Sequence, residues 1–277
     1  MLPDSLELIA LNTIPFQSVL DYLNRGFENY LVPLSFTQPL LTSLIRADAI
    51  DFNTSQVVQV GGEPAGIVLI ATRGWKTRLA AFGIFSEWRG KGVGAWFTQQ
   101  LVEQARQRNE RQMVLEVLTE NHAAIHLYRQ AGFQETRRLV GFAGTQMVGE
   151  VCAEVEECDP NLAARLLLAT NCDLPWQVSA ETLLQAGSYL RALRLGQSLV
   201  FCHSFGENDA LIRGLYFSNP EEAQRLLRHA FTLYPERTWR MAPHFPEAMV
   251  LPLMTDLGMI MRPEAQFEMR LALQEPR

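Results

Sequence analysis

The chain has 277 residues, 48% of them hydrophobic and 19% charged, with a formal net charge of −6; that length suits about two globular domains and excludes a disordered or fibrous protein. An isoelectric point near 5.5 gives no basic footprint for nucleic acid and slightly favours cationic partners. No apolar run reaches the roughly 20 residues of a membrane span, and Met1-Leu2-Pro3-Asp4-Ser5 does not read as a secretory leader, so the expected location is cytoplasmic, away from membranes.

In chain order, Pro15 to Tyr30 and Thr37 to Ala49 read as two short helices, the first with Phe16, Val19, Leu20 and Leu23 on one face. Gln56 to Val60 and Ala65 to Ala71 are β-branched runs around Gly61-Gly62-Glu63-Pro64, a hairpin signal. A third strand spans Thr77 to Phe85. The glycine-rich stretch Arg89-Gly90-Lys91-Gly92-Val93-Gly94-Ala95 follows it and opens a helix to Arg108, whose apolar face carries Val93, Trp96, Phe97, Leu101, Val102 and Ala105. Met113 to Leu118 is an apolar strand interrupted by Glu116. Asn121 suits an N-cap for a helix from His122 to Ala131, Gly132 a left-handed stop, and Phe133 to Phe142 a further strand.

The glycine stretch has the chemistry of a phosphate cradle. Glycines let backbone N–H groups approach an anion, the helix N-terminus adds partial positive charge, and Arg89 and Lys91 add full charges. A Rossmann turn would follow the first strand of a βαβ unit, whereas a hairpin precedes this loop; a P-loop would continue Gly-Lys-Ser/Thr, which is absent.

Two motifs in order, Arg89-Gly90-Lys91-Gly92-Val93-Gly94 and then Leu115-Glu116-Val117 with Asn121, Ala124, Leu127-Tyr128 and Gly132-Phe133, resemble the coenzyme motifs of the GNAT acyl-CoA N-acyltransferase superfamily, over about residues 10 to 143. The resemblance implies an α/β fold with a mixed sheet and acetyl-CoA as co-substrate without a metal. The pantetheine arm would lie between the strand ending near Phe85 and the strand Met113 to Leu118. Ile84, Phe85 and Ser86 at the end of the first strand, the loop residues Arg89, Gly90, Lys91, Gly92, Val93 and Gly94, and Asn121 and Tyr128 would contact the coenzyme. Tyr128 would act as general acid toward the leaving thiolate, since a phenol of pKa near 10 can supply that proton.

Glu116, a carboxylate in an apolar strand, is the expected general base; the same pattern also fits a residue that points to solvent or supports the loop. Many members of the superfamily carry an acidic residue on the strand before the loop, and Leu79 to Phe85 has none. Either Glu116 takes the proton, directly or through water, or a residue from elsewhere does. Backbone N–H groups near Phe82 to Ile84 would then polarise the thioester carbonyl. The acceptor would be an amine-bearing small molecule or peptide, beside Phe27 to Pro33, with the protein acting as a monomer or homodimer.

A Glu-rich stretch from about 146 to 160 suits a domain connection, giving a catalytic domain at 1–145 and a second, structural or substrate-shaping domain at 146–277. The second half repeats the order of the first. Helices near Asn161 to Thr170 and Ser179 to Ala186 precede strands Ser188 to Leu193, Ser198 to Ser204 and Ala210 to Phe217, a helix from Pro220 to Leu233, strand Thr238 to Ala242, helix Pro246 to Leu257 and strand Gln266 to Leu273. With Gly258 on Gly132, Tyr128 falls on Met254 and Glu116 on Ala242, so the expected architecture is two tandem GNAT-like domains with a degenerate second one. The four cysteines, Cys152, Cys158, Cys172 and Cys202, lie in this half without metal-ligand spacing and read as reduced thiols. A non-catalytic acyl-CoA-binding sensor or scaffold is the alternative function.

Overall fold

The computed structural model describes residues 3, 5–186 and 189–274. Met1, Leu2 and Asp4, and Ser188 at the expected start of a strand, lie outside the described residues. The chain forms two compact units, Met1–Thr136 with Phe267–Arg277, and Arg137–Gln266.

The first unit runs β1 (Leu6–Ala10), α1 (Phe16–Gly26), α2 (Gln38–Asp48), β2 (Gln56–Val60), β3 (Glu63–Arg73), β4 (Lys76–Ile84), α3 (Val93–Gln107), β5 (Gln112–Leu118) and α4 (His122–Gln130). Its strands lie in the order β1-β2-β3-β4-β5, followed by the C-terminal part of β12 (Ile260–Ala272). Gly61 and Gly62 both take positive φ, the tight turn that a two-residue hairpin requires. Thr37 caps α2 by accepting from the Leu40 N–H, with Pro39 in the first turn. The apolar faces of α3 and α4 pack with β2 to β5 around Val93, Phe97, Leu101, Met113, Leu115 and Tyr128, and Met269, Leu271 and Leu273 complete this core.

The second unit contains β6 (Gln134–Gly144) from Arg137 onward, β7 (Glu156–Cys158), α5 (Pro160–Ala169), α6 (Ala180–Ala186), β8 (Arg191–Leu195), β9 (Ser198–Phe205), β10 (Asp209–Tyr216), α7 (Pro220–Phe231), β11 (Thr238–Pro246) and α8 (Glu247–Asp256), with strand order β7-β8-β9-β10-β11-β6. Its core gathers Phe142, Leu226, Phe231, Trp239, Met241, Phe245 and Met254.

Three features depart from the sequence reading. β1 is an additional strand, paired antiparallel with β2. β7, a three-residue polar strand, sits inside the stretch read as a connection. The division at 145/146 also shifts, because each unit takes its last strand from the other half of the sequence: β6 pairs with β11, and the end of β12 enters the first unit's core.

One irregularity in the first unit positions the site. β4 pairs with β3 along its whole length, but with β5 only from Lys76↔Gln112 to Leu79↔Leu115. A register shift against β3 follows at once, at Ala80 between Leu79 and Ala81; such bulges bend a strand and end pairing. Beyond it β4 and β5 part, leaving a wedge between them.

Candidate active site

Phe85 N–H donates to the Ala65 carbonyl at 2.9 Å, which fixes the alternation of the β3–β4 ladder. Residues 81 and 83 turn their backbone groups toward β3, and the N–H groups of Phe82 and Ile84 face the wedge. Those two donors lie on an edge that has lost its β5 partner. The Phe85 side chain is fully buried, with the Arg25 guanidinium 4.4 Å from its ring centroid and the tilted Tyr22 ring at 6.0 Å. Ser86 is exposed in a 3-10 turn, its hydroxyl 3.2 Å from Glu87.

In the loop, Gly90 and Gly92 have φ of +72° and +82°, the left-handed region that side chains resist. Gly92 is the residue before α3, and no side chain caps that helix. The first N–H groups of α3, from Val93 to Ala95, therefore stay available at a positive helix end. Val93 turns its side chain into the core, and a Cβ at Gly94 would find ordinary contact with Ile84 at 3.5 Å and Leu127 at 3.7 Å, so packing alone does not demand glycine there. Lys91 holds its ammonium 4.9 Å from the Trp88 ring centroid at the loop surface.

Arg89 hydrogen-bonds backbone carbonyls on two elements. Its Nε donates to the Ile84 carbonyl at 2.8 Å, and its Nη2 to the carbonyls of Gly26 at 3.1 Å and Glu28 at 3.4 Å. The guanidinium thus ties the end of α1 to the end of β4, satisfying carbonyls that a helix C-terminus leaves open. Gly26 and Gly83 let the two elements meet, since a Cβ on Gly83 would stand 2.8 Å from the Gly26 Cα.

Tyr128 on α4 is buried beneath the wedge, edge-on to Phe82 and Phe133 at 6.3 and 5.8 Å. Burial, and secondarily Tyr30, push its phenol well above the usual tyrosine range, so it stays protonated at every physiological pH. Asn121 Oδ1 accepts from the Ala124 N–H at 3.2 Å as the cap of α4. Burial raises the Tyr30 pKa, with Asn121 opposing that rise.

Glu116 is bound rather than free. Arg78 Nε donates to its Oε2 and Arg78 Nη1 to Asp48 Oδ2, both at 2.8 Å, with all three side chains nearly inaccessible. Burial disfavours the Arg78 charge, but Glu116 and Asp48 more than offset it and raise its pKa. Burial raises the Glu116 pKa, Arg78 opposes this, and Glu268 and Asp48 add to it. Its Oε1 is buried without a partner. The geometry gives Glu116 an anchoring place in the network holding β4, β5 and the end of α2 through Oε2. The signal available in the sequence was Arg78 itself, a charge in an apolar strand opposite another of reversed sign.

The second unit repeats the frame without the chemistry. Met254 is fully buried where Tyr128 stands, and α7 begins with Asn219 accepting from the Glu221 N–H at 2.9 Å, with Glu221 and Glu222 in the first turn. Capped and acidic, that helix end repels an anion. Among the described residues no group of three or more His, Cys, Asp and Glu side chains is placed to hold a metal, and no helix is long and apolar enough to cross a membrane.

Residues 17–133 match the model of the acetyltransferase (GNAT) family. A streptothricin acetyltransferase of Streptomyces lavendulae is 33% identical over 85 residues, 30% of this chain and 45% of that protein, so the chain spans just under half of the relative it matches. Among solved structures, a GCN5-related N-acetyltransferase from Sphaerobacter thermophilus superposes with a TM-score of 0.68 at 15% identity, over 100% of this chain and 98% of its own. A tandem GNAT protein from the clavulanic acid biosynthesis pathway does so at 0.64 and 14% identity, over 99% and 100%. At these identities the structures speak for the fold, two GNAT-like domains in tandem.

Proposed function

We propose that the first unit, whose residues 17–133 match the acetyltransferase (GNAT) family model, transfers an acetyl group from acetyl-CoA directly to a primary amine. The observation that carries this reading is the wedge: an unpaired β4 edge, an uncapped glycine-led helix start and a buried protonated tyrosine, together in one unit. Acetyl-CoA brings the activated acyl group as a thioester. The N–H groups of Phe82 and Ile84 suit its amides and thioester carbonyl, where negative charge grows during attack. The loop amides from Gly90 to Gly94, with Lys91, suit the pyrophosphate.

An amine attacking as the neutral species forms the new C–N bond as the C–S bond breaks, and loses its own proton to solvent. Tyr128 holds its phenolic proton for the departing sulfur, donating a hydrogen bond to it as charge develops. The second unit, with Met254 in place of that phenol, acts structurally or shapes the acceptor side.

Tyr128→Phe is expected to lower kcat about a hundredfold, in the range for a lost general acid, with acetyl-CoA affinity nearly unchanged. The assay is CoA release from acetyl-CoA over a panel of primary amines. An unchanged kcat makes Tyr128 a packing residue, and tight CoA binding without turnover on any amine makes the protein an acyl-CoA sensor or scaffold.

A further inference from the structure

The second unit also parts its central strands, since β10 and β11 pair only from Asp209↔Thr238 to Ile212↔Met241 and β10 then shifts register against β9. What happens to that second wedge is decided by the connection between α5 and α6. Arg137 on β6, the strand beside β11, donates to the Asp173 carbonyl and stands 3.5 Å from the Asp173 carboxylate. Pro175 then leads into a 3-10 turn, Trp176–Val178, whose three residues are all buried. From the other side Thr182 on α6 donates its hydroxyl to the Trp176 carbonyl at 2.5 Å. The turn so held packs against both β10 and β11.

Side-chain alternation along β9 shows where Val178 goes. Leu199 and Phe201 face the core made with α5 and α6, beside Ala164 and Leu167. Val200 and Cys202 face the opposite core, with Leu226 of α7 and Met254 of α8. Val178 comes two residues before α6, yet its side chain, 2% exposed, belongs to the α7–α8 core. A side chain that starts on one face of a sheet and packs on the other passes where the sheet is open. With the turn against both parted strands, that opening is the wedge.

The linings of the two wedges differ accordingly. In the first unit Phe82, Ile84, Ala124 and Leu127 are half-buried, and among the described residues none of 27–37 enters the core of α3 and α4; the buried side chain there, Phe36, packs on Phe27. In the second, Leu215 in the place of Phe82, Val250 in that of Ala124 and Leu253 in that of Leu127 are all buried.

We propose that the turn Trp176–Val178 is a built-in plug: the second wedge is filled by this chain's own Val178 and receives no ligand, charged or neutral. The acidic end of α7 turns away only anions, whereas a plug shuts out uncharged molecules as well. The plug holds whether or not the first wedge receives acetyl-CoA. A wedge in this scaffold is thus a gap that the connection between two helices either fills or leaves open.

The test is hydrogen exchange on the whole protein, read residue by residue. Val178→Ala shortens the plug and is expected to speed exchange of the β10 and β11 amides beyond Ile212 and Met241 about tenfold, with β4 and β5 unchanged. Leu167→Ala, cut from the other core, is expected to loosen α5, β8 and β9 instead. If Val178→Ala acts as Leu167→Ala does, Val178 belongs to that core, and if it changes no amide, the turn fills nothing; either overturns the proposal. Pantetheine, which carries no phosphate, should protect no amide of β10 or β11 in the parent protein, and protection there overturns it too. Should the alanine variant fail to fold, Val178→Cys keeps nearly the parent volume: its thiol should react with a maleimide as slowly as buried Cys202, and labelling as fast as at half-buried Cys172 overturns the plug.

Discussion

The two units share backbone decisions and differ in side chains. In the first, β4 pairs parallel with β5 over four residues and then bulges; in the second, β10 pairs parallel with β11 from Asp209↔Thr238 to Ile212↔Met241 and then shifts register against β9 between Ile212 and Gly214. α4 ends with N–H bonds from Ala131, Gly132 and Phe133 to the carbonyls of Leu127, Arg129 and Tyr128, and α8 with the matching set from Leu257, Gly258 and Met259 to Leu253, Thr255 and Met254. Within that common frame, Tyr128 becomes Met254, Glu116 becomes Ala242, and Arg78, paired with Val114, becomes Leu211, paired with Arg240. The wedge is a property of the scaffold, and the buried phenol, the uncapped glycine-led helix start and the buried ion pairs belong to one copy.

The largest test of this contrast is Arg78→Met. It leaves the buried carboxylates Asp48 and Glu116 without their shared cation and is expected to cost about 3–5 kcal/mol, as for a broken buried ion pair. Denaturant unfolding with hydrogen exchange should place the loss at β4 and β5 and spare β10 and β11; unchanged stability would show that the network is as dispensable as in the second unit. Gly92→Asn is expected to act on binding more than on folding. Asparagine accepts the left-handed backbone, but its side chain occupies the anion's space, so CoA affinity should fall about tenfold, 1.4 kcal/mol, with little change in melting temperature. If CoA binds as before, the helix start does not receive the phosphates.

The smallest effect separates the two helix stops. Gly132 and Gly258 have φ of +95° and +80°, and alanine at either should cost about 1–2 kcal/mol in backbone strain. A methyl at Gly132 also meets Leu271 Cδ1 at 3.2 Å, while at Gly258 nothing lies within 4 Å. Gly132→Ala should therefore be the more destabilising in chemical denaturation, and equal costs would show that the C-terminal strand yields freely there.

Much of this was legible from local rules. The Gly61-Gly62 turn, the Asn121 cap and the Gly132 stop are encoded where they act, so both hairpin and helices could be read directly. Met254 in the place of Tyr128 followed from the same glycine register. The exchange of last strands was not legible, because β6 and β12 both mix charged and apolar residues and nothing local states which sheet each joins. The Arg89 bonds to the Gly26 and Glu28 carbonyls were not legible, because those residues lie far away in sequence.

The crossed assignment of β6 and β12 bears on how the protein is made. On the ribosome, every helix of the first unit emerges long before Met269, Leu271 and Leu273, which its core requires. That unit must wait, with apolar surface uncovered, until the second has been synthesised. Contacts between such distant stretches form slowly. Splitting the gene between residues 145 and 146 would give two polypeptides, each lacking one strand and carrying the other's, and only co-expression would let them exchange.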